Sequence, residues 1–249
     1  MPTRFGTRTS HSIIVRINKY LARCGITSRR KADDLIAEGR VTLNGESVTE
    51  FGVRLDPEQD IVEVDGTAVS LPDSYVYYVL HKPRQVISTV DDPRGRRTVV
   101  DLIRTDRRIF PVGRLDYDTS GVLLLTDDGD FAHHLMHPSN EVPRTYQVWY
   151  EGVLPADAAS GLDAGIDIGE NLPARGTLRI QEQTADQGMA TLTLHAGRYH
   201  EVKRIFEALD CTVTRLHRSE FAGIGCAQLA PGEYRKLSKR EIRSLNAGG

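Results

Sequence analysis

The segment Gly113-Arg114-Leu115-Asp116-Tyr117-Asp118-Thr119-Ser120-Gly121, followed by the apolar run Val122 to Leu125, constrains this chain more than any other. Turn formers lead directly into a run too apolar to face water. A tight connection must therefore deliver an arginine and two carboxylates to the end of a buried strand. Such a place suits a reactive carboxylate, because the backbone is fixed, the surroundings are partly dry and a positive group is close. It suits ordinary turn chemistry equally, with Asp116 or Asp118 capping backbone N–H groups.

Charge is distributed unevenly along the chain. The formal net charge of −2 over 249 residues conceals a basic end. Eight of the 32 Lys and Arg (Arg4, Arg8, Arg16, Lys19, Arg23, Arg29, Arg30 and Lys31) lie in the first 32 residues, which contain no acid, and the other 24 face all 34 Asp and Glu. A polyanion bound at one end would require this asymmetry; a solvated charge run without a partner is the alternative. With 39% hydrophobic and 27% charged residues, the composition is that of a soluble globular protein, and no apolar run reaches the length of a membrane span. A secretory signal is not indicated, and the Arg- and Ser/Thr-rich opening weakly resembles a transit peptide and equally a disordered basic arm. Cys24, Cys211 and Cys226 are odd in number and widely spaced, so neither a disulfide framework nor a zinc pattern is expected, in keeping with a reducing cytoplasm.

Local patterns divide the chain. Residues 1–12 are expected to be a disordered arm, residues 13–66 a small domain and residues 67–74 a linker containing Pro72. A large domain over 75–242 and a tail over 243–249 complete the chain. In the small domain a helix is predicted over 16–24 and stopped by Gly25. A second, capped by Ser28, runs to about Glu38 and ends at Gly39. Strands follow at Val41–Leu43, at Ser47-Val48 after the hairpin signal Asn44-Gly45, and at 61–64. In the large domain strands are predicted over 75–80, 122–126, 145–150, 175–180 and 189–194, with helices near 130–137 and 199–209. Strands mixed with a few helices indicate an α+β domain around one mostly antiparallel sheet. There is no internal repeat.

Several of these segments together resemble a known pair of modules. Arg16-Ile17-Asn18-Lys19-Tyr20-Leu21-Ala22, Ser28-Arg29-Arg30-Lys31-Ala32 and Gly39-Arg40-Val41-Thr42-Leu43-Asn44-Gly45 are similar to the RNA-binding domain first described in ribosomal protein S-four. The resemblance implies that Arg29, Arg30 and Lys31, at a helix start whose free N–H groups already favour anions, contact RNA phosphates. The Gly113–Gly121 segment resembles the signature loop of pseudouridine synthases, and two further segments follow in that family's order. Arg144-Thr145-Tyr146 resembles its basic-x-tyrosine motif, and Gly197-Arg198-Tyr199-His200-Glu201-Val202-Lys203-Arg204-Ile205-Phe206 its third motif. Val79-Leu80-His81-Lys82-Pro83 resembles the lysine-proline segment that opens the catalytic domain.

The pairing points to the ribosomal-RNA branch of that family, and within it most closely to group B of the enzymes acting on the large ribosomal subunit. It implies a catalytic domain with a central mixed, largely antiparallel sheet. It also implies that Asp116 is the catalytic carboxylate, that Lys203 pairs with it, and that Tyr146 packs on the target base. Arg114 would enter the RNA where a uridine is flipped out, or else form a salt bridge with a neighbouring acid such as Asp116. Arg94, Arg96 and Arg97, in a basic loop, and Arg204 are further candidates for RNA contact; a solvated loop and a solvent-facing helix are the alternatives. The expected substrate is ribosomal RNA, free or within an assembling subunit. No cofactor, no metal and no membrane partner are expected, and the chain is read as a monomer.

Other constellations carry less. His133 and His137 have the i, i+4 spacing of a metal pair, but there is no His-Glu-x-x-His pattern and Pro138 ends the helix. Asp127-Asp128-Gly129 is a turn without calcium-loop spacing. Ser120 has no adjacent base motif. Two other function classes stay in view: a non-catalytic RNA-binding assembly factor, and a carbohydrate-active enzyme using Asp116 and Asp118. The second needs two carboxylates flanking a bond, which neighbours on one loop do not provide.

Overall fold

The computed structural model describes residues 14–170 and 172–247; the arm expected over residues 1–12 lies outside them. The chain divides into two compact units between Tyr75 and Val76.

The smaller unit runs β1 (Val15–Arg16), α1 (Ile17–Arg23), α2 (Arg29–Ala37), β2 (Val41–Leu43), β3 (Glu46–Ser47), β4 (Arg54–Leu55), β5 (Val62–Val64) and β6 (Thr67–Val69). Ser28 caps α2 by accepting the Lys31 N–H at 3.3 Å, a contact worth about 1 kcal/mol. Gly39, at φ +69°, closes the helix. Its N–H donates to the Ile36 carbonyl and that of Arg40 to Leu35, a pairing that only a left-handed residue permits. Asn44 and Gly45 both take positive φ, which makes the tight hairpin turn between β2 and β3. Ile17, Leu21, Ala32, Ile36, Val41, Leu55 and Val62 form a separate small core. β6 pairs with β5 in the four-stranded sheet, so Thr67–Val69 belong to this unit and not to the linker expected there. The residue pattern misled because Thr67-Ala68-Val69 is too short to show alternation.

The larger unit runs β7 (Tyr77–Lys82), β8 (Phe110–Pro111), β9 (Ser120–Thr126), α3 (Gly129–Met136), β10 (Arg144–Glu151), α4 (Ala158–Ala164), β11 (Gly176–Gln183), β12 (Gln187–Leu194), α5 (Glu201–Glu207), β13 (Thr212–Phe221), β14 (Ile224–Gly225), β15 (Tyr234–Lys236) and α6 (Lys239–Ala247). Its main sheet has the order β11-β12-β10-β13-β9-β7-β15. Every pairing is antiparallel except β13 with β9, so the unit is an α+β domain on a mixed, largely antiparallel sheet. β9 is buried along its whole length. Leu123 and Leu125 join a core with Leu80, Val148, Ile205 and Phe206. Val122 and Leu124 join another with Phe131, Leu135, Phe221 and Leu245. Successive side chains on a strand point to opposite faces, and the unbroken apolar run is what two covered faces demand. Leu245 anchors α6, so residues 243–247 are helix and not the expected tail. Among the described residues no helix is long and apolar enough to cross a membrane.

Candidate active site

One row of the sheet lies under the signature loop. Cross-strand register places Lys82 beside Gly121, Gly121 beside Arg218, Arg218 beside Tyr146, and Tyr146 beside Leu192. Gly121 is obligatory in this row. Its φ is +119°, and a Cβ there would come within 2.1 Å of the Arg218 carbonyl oxygen and 2.6 Å of the Arg218 nitrogen.

Lys82 has no exposed surface. Its Nζ donates to the carbonyls of Pro83 (3.1 Å), Asp116 (2.9 Å) and Thr119 (2.8 Å), and so pins both ends of the Asp116–Thr119 turn. Burial pushes its ammonium down to about 8, against the opposing pull of Asp116 and Asp118 and with a smaller contribution from Arg218. A lysine depressed from 10.5 leaves the unfolded chain holding more protons between those two values, so its contribution to stability rises with pH across that window. Relative to Lys82→Met, the wild type should gain about 1 kcal/mol per pH unit between pH 8 and 10. Denaturant unfolding of both proteins at several pH values measures this; parallel stability curves would contradict it.

Above the row, Asp116, Arg114, Tyr146, His200, Lys203 and Glu201 line one cleft. Asp116 is partly exposed. Its Oδ2 is 3.5 Å from His200 Nε2 and 3.6 Å from Lys203 Nζ. The pairing of Lys203 with Asp116 is present at 3.6 Å, but Lys203 makes its closer contacts with Asp118, at 2.8 and 3.0 Å, so the ammonium is shared between two carboxylates. For Asp118 the burial that would raise its carboxyl is outweighed by the hydrogen bonds and charge of Lys203, and the group lies below its ordinary value. Tyr146 is buried in β10 with its ring in the cleft wall. Arg114 is exposed at the cleft and forms no ion pair with Asp116 or another acid among the described residues, so the salt-bridge alternative is not realised there.

His200, not singled out from the sequence, adopts a left-handed backbone (φ +51°) just before α5, and Tyr199 stacks on its ring at 3.9 Å. A positive φ at a non-glycine residue is the signal that could have marked it, but it is visible only in three dimensions. Glu201 is buried, accepts the Arg198 N–H at 3.1 Å, and is raised by burial.

The remaining basic candidates separate. Arg29, Arg30 and Lys31 are exposed on the first turn of α2. Arg94 and Arg97 are exposed in their loop, whereas Arg96 makes a bidentate bond to Asp92, whose carboxyl this pairing holds down at about 2. Arg204 is not displayed to solvent as a free cation. Its guanidinium is bound to Glu170 and to the carbonyls of Ile168 and Tyr199. The partner Glu170 lies in a loop far off in sequence, so nothing local announced it.

Ser120 has an imidazole after all: His217 Nδ1 is 2.9 Å from its hydroxyl. Both residues lie one position from the Gly121–Arg218 row, on the opposite face of the sheet from Asp116's cleft. Here, and not at His133 and His137, three side chains of metal-ligand type converge, with one ligand atom from each of His81, His217 and Cys226 within 4.8 Å of the others. His81 Nδ1 is bonded to the Leu229 carbonyl at 2.7 Å.

Known proteins share both units. A family model described as RNA pseudouridylate synthase matches residues 76–208, and a second, described as "S4 domain", matches residues 15–61. A Bacillus subtilis protein named ribosomal large subunit pseudouridine synthase B is 42% identical over 93% of this chain and 96% of its own length. A Mycobacterium leprae RNA pseudouridine synthase is 41% identical over 93% of this chain and 92% of its own length. A crystal structure of a pseudouridylate synthase superposes with a TM-score of 0.68 at 30% identity, covering 93% of this chain and 99% of that one.

Proposed function

The chain belongs to the RNA pseudouridylate synthase family, and from that premise we propose that its substrate is ribosomal RNA of the large subunit, in which it isomerises one uridine to pseudouridine. The observation that carries this reading is the cleft itself. A carboxylate, Asp116, faces a buried tyrosine, has beside it an arginine that forms no ion pair among the described residues, and lies within 3.6 Å of the Lys203 ammonium and the His200 imidazole.

Each group has a task. A stacked uridine must leave its helix, at a cost of a few kcal/mol. Arg114, long, planar and charged, takes the vacated place. Tyr146 packs on the extruded base. Asp116, its charge balanced by Lys203, initiates rupture of the bond between N1 of the base and C1′ of the sugar. It does so by attack at the sugar or by removal of a sugar proton. The uracil turns, C5 bonds to C1′, the C5 proton leaves and N1 takes one up. Atoms and electrons balance without an oxidant or a leaving group, so the conversion calls for no cofactor or metal. Lys82 acts on the same loop from below, fixing the backbone carbonyl of Asp116.

Arg29, Arg30 and Lys31 hold phosphates without reading sequence. Replacing all three by glutamine should lower RNA affinity and reduce the slope of log affinity against log salt by about 2. Turnover at saturating RNA should stay as it was. An unchanged slope in a filter-binding titration would remove this cluster from the interface.

The function is tested by incubating the protein with each ribosomal RNA, free and in assembly particles, and mapping pseudouridine by chemical modification and primer extension. A new stop in large-subunit RNA is expected. A stop confined to small-subunit RNA would redirect the substrate, and tight binding without any stop would indicate an RNA-binding assembly factor.

A further inference from the structure

Two arginines on the floor of the larger unit lack what buried charges need. Arg144 is 8% exposed and Arg218 is 3% exposed. Burial of a cation in a protein interior costs several kcal/mol and is ordinarily offset by a carboxylate. Among the described residues neither guanidinium forms an ion pair. Arg144 Nη1 donates to the carbonyls of Val142 and His195 at 2.7 and 2.8 Å. Arg218 Nε donates to the Val122 carbonyl at 2.9 Å, and its buried Nη2 has no hydrogen-bond partner among the described residues. Both lie over the Phe221 ring. They also repel one another: Arg144 is lowered chiefly by burial, and Arg218 adds to the effect. Glu201 acts on Arg144 only at longer range, and its carboxylate serves Arg198.

These two side chains line one cavity with Arg114, Arg198, His195 and Tyr146, and no Asp or Glu lines it. The cavity shares Arg114, Tyr146, Gly197 and Arg198 with the cleft that holds Asp116. A pocket whose two buried arginines have no carboxylate, beside a nucleobase site, lacks one component, a compact anion. Gly197 keeps the approach open, since a Cβ there would come 3.3 Å from Arg144 Nε.

We propose that this cavity is the seat of a backbone phosphate of the RNA, the one next to the flipped uridine, held by Arg144 and Arg114 with the charge of Arg218 behind them. The proposal rests on the reading of the substrate given above. Its consequence is positional. A phosphate is the charged group nearest the base, and fixing it helps set the sugar carbon against Asp116 before chemistry begins. Guanidinium forks suit phosphate oxygens better than lysine does, which accounts for arginine at these positions.

The test uses a large-subunit RNA stem-loop containing the mapped uridine, with its phosphates replaced one at a time by uncharged methylphosphonate. Wild-type protein should lose about ten- to a hundredfold in affinity at one position adjacent to the target, and little elsewhere. In Arg144→Gln, which removes the charge and keeps a polar side chain, the same replacement should cost nothing further. The wild-type scan needs no variant, so it decides even if Arg144→Gln misfolds. Isomerisation of the unmodified stem-loop with a flat scan would leave the function standing and overturn the phosphate seat. A flat scan combined with a saturable rise in melting temperature on adding inorganic phosphate at constant ionic strength would also overturn it, assigning the cavity to the free ion. Absence of isomerisation would instead strike the reading of the substrate.

Discussion

Asp116→Asn should lower the isomerisation rate by about 10⁴-fold or more and change RNA affinity by less than about threefold. The substitution keeps the shape of the side chain and removes its charge. Its contacts with His200 and Lys203 are at 3.5 and 3.6 Å between groups 29–35% exposed. Pairs of that kind contribute at most about 1 kcal/mol, so the protein stays folded. The backbone bond from Lys82 to the Asp116 carbonyl is untouched, and the loop keeps its place. On the proposed reading, Arg114 and the basic surfaces keep their contacts with the RNA. Single-turnover rates and filter binding on the same preparations check both halves. A rate within tenfold of wild type would remove Asp116 from the reaction, and a parallel loss of binding would make it a structural residue.

Gly121→Ala should be the most destabilising single substitution in the sheet. A methyl at Gly121 would meet backbone atoms of β13, not the end of a flexible side chain, and the residue's φ of +119° is one that alanine rarely adopts. Either the β9–β13 pair separates or both strands shift. We expect a loss of about 4 kcal/mol or more. For a domain of this size that lowers the melting temperature by roughly 8–16 °C. The only parallel pairing of the main sheet among the described residues runs through this contact, so the turn bearing Asp116 should be displaced as well. Thermal unfolding followed by circular dichroism reads the effect; a melting temperature within two or three degrees of wild type would show that the close approach is not needed.

Legibility in the sequence varied with how local the cause was. β9 was legible because both its faces are covered, and a strand buried on both sides is written as an unbroken apolar run. α2 was legible because its cap and its closing glycine lie within the segment itself. β13 was not, although it is the longest strand and lies near the centre of the sheet. Thr-Val-Thr-Arg-Leu-His-Arg-Ser-Glu-Phe reads as polar, because Arg218 is buried by hydrogen bonding to Val122 and stacking on Phe221, and only the folded chain supplies those partners. Register shifts where it pairs with β10 blur the alternation further. The short helix α4, with Ser160 and Gly161 in its middle, left no period to follow.

The site divides in the same way. Asp116, Arg114, Tyr146 and Lys203 were found by motif and meet at one cleft. Lys82 stood inside a quoted segment without a role, because its work is to bind carbonyls of a loop over thirty residues on. The partners of Arg96 and Arg204 show why a count of basic residues overstates an RNA surface. Charge is visible in a sequence, but its neutralisation by Asp92 or Glu170 is not.

The most direct measurement follows the atom that must leave. Forming a carbon–carbon bond at C5 releases the hydrogen held there. Large-subunit ribosomal RNA transcribed with uridine tritiated at C5 should therefore release tritium to water when incubated with the protein, up to one equivalent per RNA, with no added metal or cofactor. Release that stops at one equivalent is the result this account predicts. Full binding of that RNA with tritium retained, free or in assembly particles, would contradict it.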